Sequence, residues 1–316
     1  MSLALWLLRG VARCPLRLLH GLGTGLGWAA YALSPTYRQR LDANAQRAGV
    51  GEADRRAAIG AAGRMTLETP RLWLRPREAP IADPVRWEGA EHVEAVLRRE
   101  PRRGLVLLTP HMGSFEVCAQ AYAERFGTRR PITVLYRPAR QALLRELQTW
   151  ARDRPHLATA PATLAGVRQL MRALKRGECV GMLPDQVPPE GMGVWAPFFG
   201  QPAYTMTLAA KLARQSGAEV LAIWGERLPR GAGYVVRTMP LAEPLADAAT
   251  LPADVEAVAL ADATAINRSM EALIRQAPSQ YLWGYHRYKQ PRPQAASASG
   301  PEASGVSGAS GGHGAS

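Results

Sequence analysis

The sequence predicts an α/β fold: a mixed, centrally parallel sheet flanked by helices, with an N-terminal membrane-attached helix. Three observations lead there. From residue 104 onward, short apolar runs alternate with longer amphipathic ones, as strands feeding helices do. Residues 1–37 combine apolar stretches with regularly spaced arginines. Residues 291–316 are Ala, Ser, Gly and Pro with little that can pack, and read as a disordered tail. The expected organisation is a membrane-attachment segment (1–37), one folded domain (38–290) and the tail (291–316).

At the N-terminus, residues 3–8 are apolar, and Arg9, Arg13 and Arg17 recur every fourth residue, forming one basic stripe on a helix. Residues 18–37 contain no Lys, Arg, Asp or Glu. That window approaches the roughly 20 residues needed to cross a bilayer. Gly21, Gly23, Gly25 and Gly27 dilute it and Pro35 ends it. A spanning anchor and an interfacial helix with its arginines at lipid phosphates both fit. A cleaved signal peptide fits poorly, because three arginines interrupt its apolar region.

Residues 38–100 read as helical, with an extended piece at 83–88. Strands are expected at 104–108, 132–136, 179–183, 219–224 and 234–237, and helices at 115–125, 141–153, 163–176, 204–215 and 255–276. In such sheets ligands collect at the carboxyl ends of the strands. His111, Arg137 and Asp185 each follow an expected strand, so they would line one rim.

A length of 316 residues supports a sizeable core, and 47% hydrophobic residues fit a globular chain. The formal charge of +13 is carried almost wholly by arginine, since Lys175, Lys211 and Lys289 are the only lysines. That charge suits an anionic membrane, a phosphorylated lipid or an acidic protein. A genome-wide composition bias accounts for the amount of arginine equally well. Aromatics are not interleaved with a basic stripe and no nucleic-acid fold signature appears, so nucleic acid is not an expected partner. Cys14, Cys118 and Cys179 are scattered without paired spacing, which suits a reducing compartment. The histidines form no metal-ligand cluster, and no phosphate-cradling loop appears; no metal is expected.

The chemistry concentrates at Thr109-Pro110-His111-Met112-Gly113-Ser114-Phe115-Glu116. On one continuous helix, five residues separate side chains by about 140°, so His111 and Glu116 would not share a face. Across a strand–turn–helix junction they can. Gly113 permits the turn, Ser114 is the expected N-cap and Glu116 falls in the first helical turn. Glu116 would then orient the imidazole and leave its other nitrogen free as a base, without a protein nucleophile. Backbone amides at the helix start would serve an oxyanion. Spacing alone favours a strand-end histidine and a helix-start glutamate that serve only stability.

The segment resembles the H-x4-D/E motif of the glycerolipid and lysophospholipid acyltransferases. Further blocks narrow this: Leu135-Tyr136-Arg137-Pro138; Leu183-Pro184-Asp185-Gln186; residues 197–203; and Gln280-Tyr281-Leu282-Trp283 with His286-Arg287-Tyr288-Lys289. In this order they resemble the late acyltransferases of lipid A biosynthesis, the lauroyl and myristoyl transferases, over nearly all of the chain to about Lys289. The terminal Trp283-Gly284-Tyr285-His286-Arg287 departs from the more usual Trp-x-His-Arg-Arg pattern.

The resemblance implies an acyltransferase domain at the cytoplasmic face of a Gram-negative inner membrane. It implies transfer of a fatty acyl group from acyl carrier protein to a hydroxyl of a phosphorylated, Kdo-modified lipid A precursor, with no cofactor, metal or acyl-enzyme. His111 would be the base, Glu116 its orienter, and Arg137 and Asp185 substrate-binding or supporting residues. Acylation of another membrane lipid, such as an ornithine lipid or a glycolipid, is the alternative; a non-catalytic basic membrane-associated protein is a distant one. Two features stay open between function and structure. Arg168, Arg172 and Arg176 form a stripe that is either a solvated face or a dock for the acidic carrier. Trp195, Phe198 and Phe199 either line an acyl groove or lie in the core.

Overall fold

The computed structural model of the protein describes residues 3–99, 103–136, 154–245 and 254–293. Arg137, the helix expected at 141–153 and most of the expected tail lie outside the described residues.

Apolar runs at period two and apolar stripes at helical spacing build a seven-stranded sheet between two helical layers. In chain order the strands are β1 (Val85–Glu88), β2 (Leu105–Leu108), β3 (Ile132–Tyr136), β4 (Leu157–Pro161), β5 (Cys179–Met182), β6 (Gly193–Phe198), β7 (Gln201–Met206), β8 (Glu219–Arg227) and β9 (Tyr234–Pro240). The large sheet has the order β1-β9-β8-β2-β5-β3-β4, and β6 and β7 form a separate hairpin. The pairs β8–β2, β2–β5, β5–β3 and β3–β4 are parallel, whereas β8 and β9 run antiparallel. The centre is therefore parallel, as expected, with an antiparallel turn at one side.

Every residue of β2 is buried, which a strand covered on both faces requires. Val106 and Leu108 face one core with Leu170, Leu174 and Trp224; Leu105 and Leu107 face the other with Val117, Tyr122 and Phe126. The helices are α1 (Leu3–Arg13), α2 (Leu16–Leu33), α3 (Pro35–Arg47), α4 (Glu52–Trp73), α5 (Ala90–Arg98), α6 (Phe115–Phe126), α7 (Leu164–Lys175), α8 (Leu208–Ser216) and α9 (Val255–Gln276).

There are three departures from the sequence reading, two of them with local causes. The strand β4 was not expected. The hairpin β6–β7 was not either, because Pro197 and Pro202 disfavour strand pairing. The two prolines sit opposite each other near its end, and Phe199 and Gly200 close it at φ 46° and 72°, the two left-handed residues of a type I′ turn. The helix expected from 204 starts at Leu208, since Tyr204–Met206 belong to β7. Phe198 and Phe199 are buried in the core, while Trp195 is exposed.

The N-terminal segment breaks into two helices at Pro15, and among the described residues no helix is long and apolar enough to cross a membrane. Instead, α2 packs along α4. The approach is close enough that only glycine fits: a Cβ on Gly27 would sit 2.1 Å from the Ile59 carbonyl oxygen, and one on Gly63 would sit 1.9 Å from that of Gly23. The opposite face of α2 leaves Leu18, Leu22, Leu26 and Leu33 exposed.

Candidate active site

The register of β2 against β5 sets the site. Leu108 lies opposite Met182 where both strands end, and His111 and Asp185 each follow three residues later. The chain positions differ by 74, yet the two side chains meet at the carboxyl edge of the sheet. Asp185 Oδ1 lies 2.7 Å from His111 Nδ1, and Asp185 Oδ2 accepts the His111 backbone N–H at 2.9 Å. Asp185 is buried, whereas the imidazole is partly open. Burial pushes the Asp185 carboxyl pKa up, but the His111 charge, the two hydrogen bonds from His111 and the nearby Arg287 together hold it below the ordinary carboxylate value.

In the neutral imidazole, an ionised Asp185 favours the tautomer with the proton on Nδ1, which leaves the lone pair on Nε2. Gln186 Nε2 stands 3.0 Å from that nitrogen and can donate to it. Phe115 packs edge-on against the ring, with centroids 5.1 Å apart.

The carboxylate on the imidazole is thus that of Asp185, not of Glu116 as the spacing suggested. Glu116 does fall in the first turn of α6, where its Oε2 accepts a hydrogen bond from Trp73 Nε1 at 3.1 Å. Ser114 stands at the N-cap position, but its side chain makes no capping bond. Gly113, at φ 55°, makes the turn, and a Cβ there would lie 2.0 Å from the Gly225 carbonyl oxygen. The amides of Gly113 and Ser114 donate to Gln280 O at 2.9 Å and Gly225 O at 2.8 Å. These two amides are therefore committed to the fold and do not serve an oxyanion as they stand.

The last block of the chain holds this turn in place. Leu282 N donates to His111 O at 3.1 Å, and Met112 bridges to Tyr281. The Tyr285 hydroxyl accepts from Val187 N at 3.0 Å, fixing the loop after Asp185. Arg287 is buried and donates to Tyr204 O and Thr205 Oγ1, both at 2.7 Å, tying the block to the hairpin. The contacts of Gln186, Tyr285 and Arg287 were not foreseen from the sequence, although all three lie in blocks it singled out.

Behind the turn is a buried ionic network. Arg227 donates to Glu68 Oε1 at 2.6 Å and Oε2 at 2.8 Å, and to Gly113 O at 2.8 Å. His20 Nε2 lies 2.9 Å from Glu68 Oε2. A residue of α2, one of α4 and one of β8 therefore converge on the carbonyl two residues from His111.

Among the described residues no group of His, Cys, Asp and Glu could hold a metal ion. Burial raises the thiol pKa of Cys118 to about 12 and that of Cys179 further still, so neither is a thiolate nucleophile.

Comparison with known proteins gives the family. Residues 1–290 match the model of the bacterial lipid A biosynthesis acyltransferases. The chain is 30% identical over 297 residues to a lipid A biosynthesis lauroyltransferase of Escherichia coli (strain K12), covering 90% of this chain and 89% of that protein. It is 28% identical over 229 residues to a lipid A biosynthesis palmitoleoyltransferase of the same strain, covering 72% and 68%. A lipid A biosynthesis acyltransferase of Haemophilus influenzae is 25% identical over 316 residues, covering 92% and 89%. The chain belongs to the bacterial lipid A biosynthesis acyltransferase family and is an O-acyltransferase of lipid A synthesis.

Proposed function

We propose that the protein transfers a fatty acyl group from acyl carrier protein to a hydroxyl of a phosphorylated glucosamine-disaccharide precursor of lipid A. His111 is the base and Asp185 the carboxylate that orients it. The observation that carries this reading is the 2.7 Å contact of Asp185 with His111 Nδ1, which leaves the lone pair of the neutral ring on Nε2. Nε2 takes the proton of the acceptor hydroxyl as its oxygen attacks the thioester carbonyl. The tetrahedral oxyanion collapses, the carrier thiolate leaves, and the imidazolium returns the proton to that sulfur. The products are an O-acyl ester and a free carrier thiol. Gln186 yields its place at Nε2 when the hydroxyl binds. Glu116 acts as a positioning residue at the start of α6, and Arg137 contributes to substrate binding. The reaction needs no cofactor or metal.

The test compares Asp185→Asn with Glu116→Gln. An asparagine amide facing Nδ1 forces the proton onto Nε2, so Asp185→Asn is expected to lower kcat by about 100-fold or more. Glu116→Gln is expected to cost less than either Asp185→Asn or loss of His111. The opposite ranking in steady-state acyl transfer would return the orienting role to Glu116.

The exposed leucines of α2 support attachment to the cytoplasmic face of the inner membrane through that helix lying in the interface. Arg168, Arg172, Lys175 and Arg176 are exposed on α7, and Arg176 pairs with Glu178 at 2.6 Å. Arg168, Arg172 and Lys175, which pair with no described residue, supply the dock for the acidic carrier. Reversing Arg168 and Arg172 to glutamate is expected to raise KM for acyl carrier protein several-fold at low salt and to flatten its salt dependence. Unchanged KM in a salt titration would assign that face to solvent.

A further inference from the structure

A pocket opens beside the catalytic turn, walled by Ala61 and Arg64 of α4, Glu226 and Arg227 of β8, and Ser279 and Gln280; Arg227 and Gln280 both bond to Gly113. Its volume of about 210 Å3 suits a headgroup rather than a whole ligand. The Nε of Arg64 donates to Thr24 Oγ1 at 2.8 Å. Its two terminal nitrogens make no hydrogen bond with a described residue, nor does the Ser279 hydroxyl.

No carboxylate nearby is available to Arg64. Glu68, one turn along α4, holds Arg227 and His20. Glu226, in the pocket wall, is held by Arg237 at 2.7 and 3.0 Å. The pocket wall carries two guanidinium groups, Arg64 and Arg227, and one carboxylate, Glu226, a positive excess. Burial, and then the charge of Arg227, pull the Arg64 pKa below its ordinary value against the opposing charge of Glu68, and a bound anion would act in the same direction as Glu68. A planar fork beside a hydroxyl is a donor set for phosphate oxygens. Thr24, which tethers this guanidinium, lies on α2, whose outer face exposes Leu18, Leu22 and Leu26. The cation, carried by α4, is thus tied to the helix whose outer leucines are exposed.

We propose that this pocket binds the phosphate of an anionic amphiphile, with Arg64 and Ser279 as its donors, at a site separate from His111. The phosphate can come from a bilayer phospholipid or from a phosphorylated glycolipid, which share this chemistry. Binding does not depend on acyl transfer, so it is measured in full-length His111→Ala protein.

Dihexanoylphosphatidate, glucosamine 1-phosphate and inorganic phosphate are titrated by calorimetry, with dihexanoylglycerol as the uncharged control. At least one phosphate probe is expected to saturate the protein while the control does not. A preference for dihexanoylphosphatidate assigns a phospholipid, and a preference for glucosamine 1-phosphate a glycolipid. Arg64→Gln is expected to weaken binding at least tenfold, Ser279→Ala several-fold, and Arg64→Lys to an intermediate degree. Should Arg64→Gln fail to fold, Ser279→Ala and Arg64→Lys carry the test. Wild-type affinity in the folded variants, or saturation by none of the three phosphates, would overturn the assignment.

Discussion

Replacing His111 with alanine is expected to lower acyl transfer by about 10²–10⁴-fold, the range a positioned general base contributes. The loss should appear in kcat, because Nε2 acts on the hydroxyl only as the new bond forms. The imidazole is partly open and the turn that carries it is held by backbone bonds from Gly225, Gln280 and Leu282. Folding should therefore survive, although Asp185 loses a partner. His111→Asn keeps a donor toward that buried carboxylate and separates the two effects. Both variants are to be compared in thermal unfolding and in turnover with acyl carrier protein as donor. Near wild-type turnover in either would remove His111 from the chemistry.

The second large effect concerns stability. Glu68→Ala strands the buried Arg227 guanidinium and leaves His20 without its carboxylate. Removing one member of a buried ion pair costs about 3–5 kcal/mol. Glu68→Gln keeps the volume and one acceptor and should cost less. Burial pushes the Glu68 pKa up, but Arg227 and His20 more than offset this and hold it at about 2, against 4.5 ordinarily. A depressed carboxyl stabilises the fold fully above its unfolded value. That contribution disappears as pH falls from about 4.5 toward about 2. Urea unfolding at pH 6 and pH 3 should show a smaller difference between wild type and Glu68→Gln at the lower pH. A constant difference would mean that the carboxylate charge is not what stabilises the network.

Much of the fold was legible because its core strands are short, apolar and bounded by turns. The expected strand at 132–136 matches β3, and those at 104–108 and 179–183 each differ by one residue from β2 and β5. The hairpin was not legible, because its prolines and glycines are turn signals in a sequence and pairing residues only in three dimensions. At the site, His111 and Asp185 were recognisable as residues following strands. Their pairing was not, since nothing in a periodicity says that β2 lies beside β5. The carboxylate that the H-x4-D/E pattern offers is Glu116, five residues on in the chain. Adjacency in the sheet decided otherwise.

That adjacency has a kinetic consequence. Residues 74 apart in sequence meet at hydrogen-bond distance only after β2 and β5 have paired in parallel. Such non-local pairing is a slow step in assembling a domain, because the intervening loop must close before any contact forms. A collapsed intermediate with its helices in place would lack the oriented imidazole altogether. Recovery of turnover during refolding should lag behind recovery of helical circular dichroism, so the enzyme's own reaction is a clock for completion of the sheet.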